Sequence, residues 1–543
     1  MKFGSDISNY YSNQGLKVYK PVGRALERIV NYYDSQTLNN HFAEFGSKEK
    51  VRLGYIRYAS SNRKYQQVDN VPIYIYPTDL LSQKSALFGM TRTGKSNTTK
   101  IIAKSVYELR MPKNSEDNPL RVGQIIFDPN GEYANENTQD KDANNNPNSL
   151  KNIYQLYTGS EKHDEVVTYG LTGHKNDLDR KLMKLNFFEE DNLNLGKSII
   201  DSILADDKTK YIQNFIQVIF EKPDENDRGP TTRYRRRVLA YQALLARAGF
   251  EVPQNKQQVS IKGLFNKNLI LALEDDQTDL QSNYKSVAKV LSQDFVSLHQ
   301  LANAFEALDS FIRDGKSAYK DFNNDYIATS SSGEQWADED FKKIIGMWQY
   351  ANDTRMIGKA IEQHDVGTTK DYAEEIYEHL ANGKLVIIDQ SSGNPELNKS
   401  SAQRIMWQIF RKNQELFRNG DTQIPNILVY IEEAHNLLPV GNDLDTSDVW
   451  VRTAKEGAKY RIGMVYATQE VSSIQKNILK NTANWFISHL NNTDETKELC
   501  KYYDFKDFET SILRAQDKGF LRIKTLSNLF FVPVQVDKFE INN

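Results

Sequence analysis

Residues 89–96 read GMTRTGKS, a spacing suited to holding phosphate. Gly89 and Gly94 reach backbone angles closed to other residues, so the loop between them turns its N–H groups inward. Those donors, with the N-terminus of a following helix, would grip a β-phosphate. Lys95 would bring a point charge to the β/γ oxygens, and Ser96 a hydroxyl to Mg²⁺. Thr91, Arg92, Thr93 and Asn97 complete the expected nucleotide contacts, with ATP as the ligand. As a bare pattern the motif is common. An apolar strand before it and an amphipathic helix after it make it specific.

A second set of side chains sits far along the chain. ILVYIEEAH at 427–435 would carry Glu432 and Glu433 to the C-terminal edge of a buried strand, where open α/β sheets bind ligands. Neighbours at a strand end point different ways, so the pair can divide the work. Glu432 is placed to hold magnesium through water, and Glu433 to polarise an attacking water. Gln469, after the strand 463–467, could touch a γ-phosphate and report its loss. Asp128, at the tip of 122–127, could join the outer shell of the metal, or could simply form an Asp-Pro-Asn-Gly turn. Arg452, Lys455, Lys459 and Arg461 fall between the Glu pair and Gln469 and could reach a neighbouring subunit's γ-phosphate, or be a solvated helix face. RYRRRV at 233–238 invites nucleic-acid contact, although short basic runs are commonly plain surface.

The elements that must position these residues follow from periodicity. KVRLGYIRY at 50–58 and VPIYIY at 71–76 alternate as strands, with a helical pattern at 24–33. They suggest a small barrel-like domain over residues 1–80. From 81 to 174 strands alternate with helices, the mark of a parallel sheet. Residues 175–380 carry helical periodicity, for example at 180–188, 209–220, 236–248 and 294–308, and read as an insertion. The sheet resumes over 381–518 with strands at 384–389, 427–431, 463–468 and 485–488, and 519–543 adds a β-rich end. The Asn/Asp-rich run 135–150 is expected as a loop.

Composition bounds the function. The 543 residues suit two or three domains, and charged and hydrophobic fractions of 26% and 39% are those of a globular chain. No apolar run is long enough to span a bilayer, MKFGSDISNYY lacks a signal core, and Cys500 is the single cysteine. A cytoplasmic protein without a zinc site is expected. With a net charge of −3 there is no global pull on nucleic acid, so DNA binding would need a local basic surface such as a pore lining.

In order, GMTRTGKS, DPNGEY at 128–133, VYIEEAH at 429–435 and VYATQ at 465–469 resemble the HerA family of the HerA/FtsK ATPases. The resemblance covers most of the chain. It implies an α/β fold: a RecA-like P-loop ATPase core with an N-terminal β-barrel-like (HAS-barrel-type) domain and a helical insertion. It implies a homohexameric ring that hydrolyses ATP and pumps double-stranded DNA through its channel. Such a ring works with a partner nuclease or effector, NurA-like or sirtuin-like, in DNA end processing or anti-phage defence. Lys95 and Ser96 would be the P-loop pair, Glu433 the catalytic base and Gln469 the sensor. Two departures stand out. KEGAK at 455–459 lacks the arginine of an REGRK-like string, which leaves Arg452 and Arg461 as arginine-finger candidates. Arg92 occupies a P-loop position where small residues are typical, reaching either a neighbouring subunit or the nucleotide. A ring that only assembles and activates its partner in response to ATP, with little translocation, needs the same pocket.

Overall fold

The computed structural model describes residues 21–57, 70–134, 149–156, 162–174, 177–205, 207–224, 227–278, 283–330, 333–349, 351–368, 370–391, 395–441 and 448–541. Six strands precede the helical part of the chain: β1 Val51–Ile56, β2 Pro72–Ile75, β3 Lys84–Phe88, β4 Gly123–Asp128, β5 Val166–Gly170 and β6 Lys181–Leu182. A small ribbon inside that part pairs β7 Val259–Ser260 with β8 Phe295–Val296. Six more follow: β9 Leu385–Asp389, β10 Ile427–Ile431, β11 Ile462–Thr468, β12 Asn484–Ile487, β13 Phe520–Lys524 and β14 Val532–Val536.

All but the ribbon join, among the described residues, in one sheet of order β2-β1-β14-β13-β12-β3-β11-β10-β4-β9-β5-β6. From β12 to β6 every pairing is parallel. Strands β3, β10 and β9 are buried almost throughout, as parallel strands covered on both faces must be. Alternate residues of each strand feed opposite layers. Leu87, Ile126, Leu428 and Val465 pack with Ile101, Ile102 and Val106 of the helix Lys95–Glu108. Phe88, Phe127, Ile431 and Tyr466 pack on the other side, in a core continuous with that of the helices between β6 and β9. The fold is thus mixed α/β with a large parallel sheet.

The two ends of the chain meet at one edge. β1 pairs antiparallel with β14 and with β2, so the strands expected in a separate barrel over 1–80 extend the main sheet, joined to the C-terminal hairpin β13–β14. A buried knot fixes this junction. Asp79, fully buried, accepts from the Ser527 hydroxyl at 2.7 Å and lies 3.4 Å from His41.

One segment departs from its expected state. Residues 180–186 are extended rather than helical, with β6 on β5 and an isolated bridge from Leu185 to His364, and a turn follows at 187–188. Met183 and Leu185 are buried while Leu182 and Lys184 are not, an alternation that belongs to a strand. Arg180 anchors the segment by ion pairs to Asp389 at 2.6 Å and Asp177 at 3.2 Å. The expected helices at 209–220, 236–248 and 294–308 correspond to Lys210–Ile216, Arg228–Arg247 and Leu298–Arg313. Most of the 135–150 loop lies outside the described residues. No helix among the described residues is long and apolar enough to cross a membrane.

The basic run 233–238 is largely structural. Arg236 is buried, its guanidinium 4.3 Å from the Trp336 ring. Arg233 pairs with Glu334, and Arg237 with Asp340 at 3.2 Å. These contacts tie the helix Arg228–Arg247 to 334–341, whereas Arg235 is exposed. Arg236→Ala is expected to lower stability by about 2 kcal/mol, the scale of a desolvated cation–π contact. Arg235→Ala should change it by less than about 0.5 kcal/mol. Urea unfolding midpoints of the two variants check this.

Candidate nucleotide-binding site

Parallel alignment brings the chemistry to one edge. β10 lies between β4 and β11, and β11 pairs with β3, so the strand tips 88, 128, 431 and 468 share the C-terminal side of the sheet. The loop after β3 turns through Arg92 (φ 65°) and Gly94 (φ 99°) into the helix Lys95–Glu108. Gly94 caps that helix without a side-chain bond, which leaves its first N–H groups free to hold an anion. The loop is anchored at its start by Gly89 N–H to the Thr468 carbonyl at 3.2 Å and Met90 N–H to that of His489 at 2.9 Å.

A pocket of about 980 Å³ opens over this loop. Thr91, Arg92, Gly94, Lys95, Ser96 and Asn97 line it, as do Glu432 and Glu433. Lys95 donates to the carbonyls of Gly89 at 2.8 Å and Met90 at 3.3 Å. Burial pushes its pKa down, against the pull of Glu433, Glu432 and Glu132. On Glu432, Oε1 accepts from Thr99 Oγ1 at 3.1 Å and from the Tyr133 hydroxyl. Burial raises the pKa of Glu432, while Tyr133, Lys95 and Thr99 oppose the shift.

The two carboxylates part because Glu433 adopts a left-handed backbone, φ 47°, a conformation of about 1–3 kcal/mol strain that gathers at functional sites. Glu433 Oε2 lies 3.6 Å from His435 Nδ1, which is 3.1 Å from Thr468 Oγ1.

Other expected residues are placed differently. Thr93 is turned into the loop, its hydroxyl on the Met90 carbonyl at 2.7 Å. Asp128 does not line the pocket. It is buried beneath the 129–134 loop and accepts from the N–H groups of Glu132 at 3.0 Å and Tyr133 at 2.8 Å. That loop carries Tyr133 to Glu432, so Asp128 acts on the site through backbone. Gln469 is half-buried and leaves the sheet just past Thr468, which is in register with Phe88, without lining the pocket. Arg452 lies over the Phe410 ring at 5.0 Å and 3.7 Å from Glu456. Arg461 (φ 58°) precedes β11 and donates to the Ile424 carbonyl at 3.5 Å. The length of β11, roughly 20 Å, separates it from the strand tips, and neither arginine lines its own chain's pocket.

Sequence reasoning missed Tyr133, Thr99 and His435, although the first sits within DPNGEY and the last within EEAH. It also missed Lys518, Gly519 and 535–539, which form a wall of the pocket and which no local pattern ties to a phosphate loop.

The family model described as the central domain of the helicase HerA matches residues 53–344, more than half of the chain. This chain belongs to the HerA family. The match includes the phosphate loop and Asp128 and ends before Glu432. The DNA double-strand break repair helicase HerA of Sulfurisphaera tokodaii is 28% identical over 173 residues, 31% of this chain and 34% of that protein. The HerA of Sulfolobus acidocaldarius is 25% identical over 163 residues, 29% and 32%. The matched region thus spans about a third of the length of these curated relatives. Among solved structures, the bacterial conjugative coupling protein TrwB aligns at 12% identity over 92% of this chain and 99% of its own, with a TM-score of 0.39.

In this HerA-family chain the buried Asp128 is expected to make stability pH-dependent. Burial, with Asp389 nearby, pushes its carboxyl up to about 7, against the backbone N–H bonds. The unfolded chain releases that proton near pH 4. Stability from the protonated form is therefore full below about pH 4 and lost progressively as pH rises to about 7. Asp128→Asn is expected to flatten this slope, checked by denaturant midpoints at several pH values across that range.

Proposed function

We propose that the chain hydrolyses ATP at this pocket, and that it does so as a homohexameric ring that moves double-stranded DNA. The observation that carries the reading is that Lys95 and Ser96 share one pocket with Glu432 and Glu433, which come from a strand more than 300 residues away in sequence. Amides of the loop and of the helix N-terminus would hold the β-phosphate, and Lys95 would leave the loop carbonyls for the β/γ oxygens. Thr91 and Arg92 would complete the phosphate contacts, with Thr93 shaping the loop from within and Asn97 on the nucleoside side. Glu433 would take the proton of the attacking water, His435 holding it from behind, and Gln469 would sense the γ-phosphate.

The residues fit magnesium. Thr99 and Tyr133 both bond Oε1 of Glu432, which leaves Oε2 to meet a metal-bound water, with the Ser96 hydroxyl in the same pocket. Asp128 would support this end through the 129–134 loop. Bound there, Mg²⁺ would neutralise charge developing on the phosphates.

We read 81–174 and 381–518 as the motor core, 175–380 as an insertion, and 1–80 with 519–543 as a joint β unit. A cytoplasmic location and a partner nuclease or effector, in DNA end processing or anti-phage defence, complete the proposal. The names of the HerA relatives support the DNA half of it. Arg452 and Arg461 are the candidates for a finger into a neighbour's pocket.

Lys95→Ala should abolish ATP binding, whereas Glu433→Gln should keep binding and lose turnover by a factor of about 10³ or more, assuming base catalysis. Turnover surviving in Glu433→Gln would remove that residue from the role of base. Tyr133→Phe should lower turnover about 10–100-fold, the usual penalty for losing a supporting contact to a metal-site ligand. Triplex displacement on duplex DNA tests translocation: a ring that hydrolyses ATP and activates its partner yet leaves the third strand in place is a scaffold. Rings mixing Glu433→Gln subunits with Arg452→Ala or Arg461→Ala subunits would reveal action in trans through their activity relative to either variant alone.

A further inference from the structure

The helix that begins at Lys95 has two flanks at the pocket. Thr99 donates to Glu432, so its flank faces the carboxylates. Asn97 is two residues away, about 200° around the helix, and faces the opposite side. A triphosphate whose γ end lies toward Glu432 and Glu433 therefore sends its ribose and base out past Asn97.

On that flank the C-terminal segment closes the pocket. The Asn97 amide makes two bonds around one residue: Nδ2 donates to the Asp537 carbonyl at 2.9 Å, and Oδ1 accepts from Phe539 N–H at 2.8 Å. Two turns along, Lys104 donates to the carbonyls of Glu540 at 2.7 Å and Ile541 at 3.1 Å. Arg52 of β1 holds the Asp537 carboxylate at 3.0 Å. Where β13 begins, Gly519 N–H donates to the Thr93 carbonyl inside the phosphate loop at 2.7 Å. Tyr55, Val536 and Phe539 line the same wall.

We propose that residues 537–539 are the nucleoside wall of the pocket, and that Asn97 is a positioning residue that sets affinity for the nucleoside half of the ligand rather than for its phosphates. The proposal rests on the nucleotide reading of the pocket. Loss of Asn97 frees the wall from the helix, and the base loses its packing surface while the phosphate loop keeps its amides and Lys95.

The test compares the β,γ-imido analogue of ATP with inorganic tripolyphosphate, each with magnesium, titrated calorimetrically into the full-length chain. Asn97→Ala is expected to weaken the analogue about tenfold or more, the effect of about 1.4 kcal/mol, and to leave tripolyphosphate within about twofold. Phe539→Ala, which leaves Asn97 in place, should show the same split. Equal weakening of both ligands, or of neither, in both variants overturns the proposal. Lys95→Ala separates this from the parent reading: it should weaken both ligands strongly, and if it weakens neither, the nucleotide assignment itself fails.

Discussion

The structure turns on a buried ammonium facing two carboxylates across a strand junction. Lys95 is 8% exposed, and removing a charge from water at such a place is unfavourable unless opposite charge or strong acceptors lie close. The carbonyls of Gly89 and Met90 supply the acceptors, and Glu432, Glu433 and Glu132 the charge. This works only if β10 ends level with the phosphate loop. The register Ile431 to Tyr466 and Thr468 to Phe88 secures that, and a parallel sheet keeps all of these tips on one side. A one-residue slip of β10 would turn Leu428 and Tyr430 into the wrong layer and misplace both acids together.

Backbone strain marks where geometry outranks propensity. Four described residues other than glycine have positive φ: Ser82, Arg92, Glu433 and Arg461. Arg92 and Glu433 both line the pocket. Glycine would hold the first of these conformations at lower cost. At Glu433 the left-handed turn divides the two acids. Glu432 follows the strand into contact with Tyr133 and Thr99, while its neighbour swings toward His435 and Thr468.

How much of this was legible in the sequence depends on the range of the interaction. The strands β3, β4, β9, β10 and β11 each contain an apolar run, and their tips carry the conspicuous residues, so both signals sit within a few positions of each other. Residues 180–188 were misjudged because Met183, Leu185 and Phe187 alternate beside Phe188, and a short apolar cluster fits either period. For Asp128 the sequence leaves a place in the metal's outer shell and a simple turn both open, since local sequence cannot show that three consecutive N–H groups of its own loop turn back on it. The joining of β1 to β14 was invisible for a different reason. Pairing between residues some 480 positions apart leaves no local periodicity at all.

That long-range pairing gives the edge of the sheet its mechanical meaning. β13 and β14 bridge β1 to β12, and β12 lies directly beside β3. The same hairpin touches the phosphate loop through Gly519 and leads into the segment pinned by Asn97. A Cβ at Gly519 would meet Gln535 Nε2 at 2.8 Å, and one at Gly94 would meet Gly519 N at 3.0 Å, so loop and hairpin approach to backbone contact with no side chain between them. A displacement of the loop must therefore move the hairpin, and with it β1, because nothing compliant separates them. The described N-terminal strands and the C-terminal segment are thus joined to the phosphate loop through backbone contact. The helices between β6 and β9 share the core on the opposite layer of the sheet.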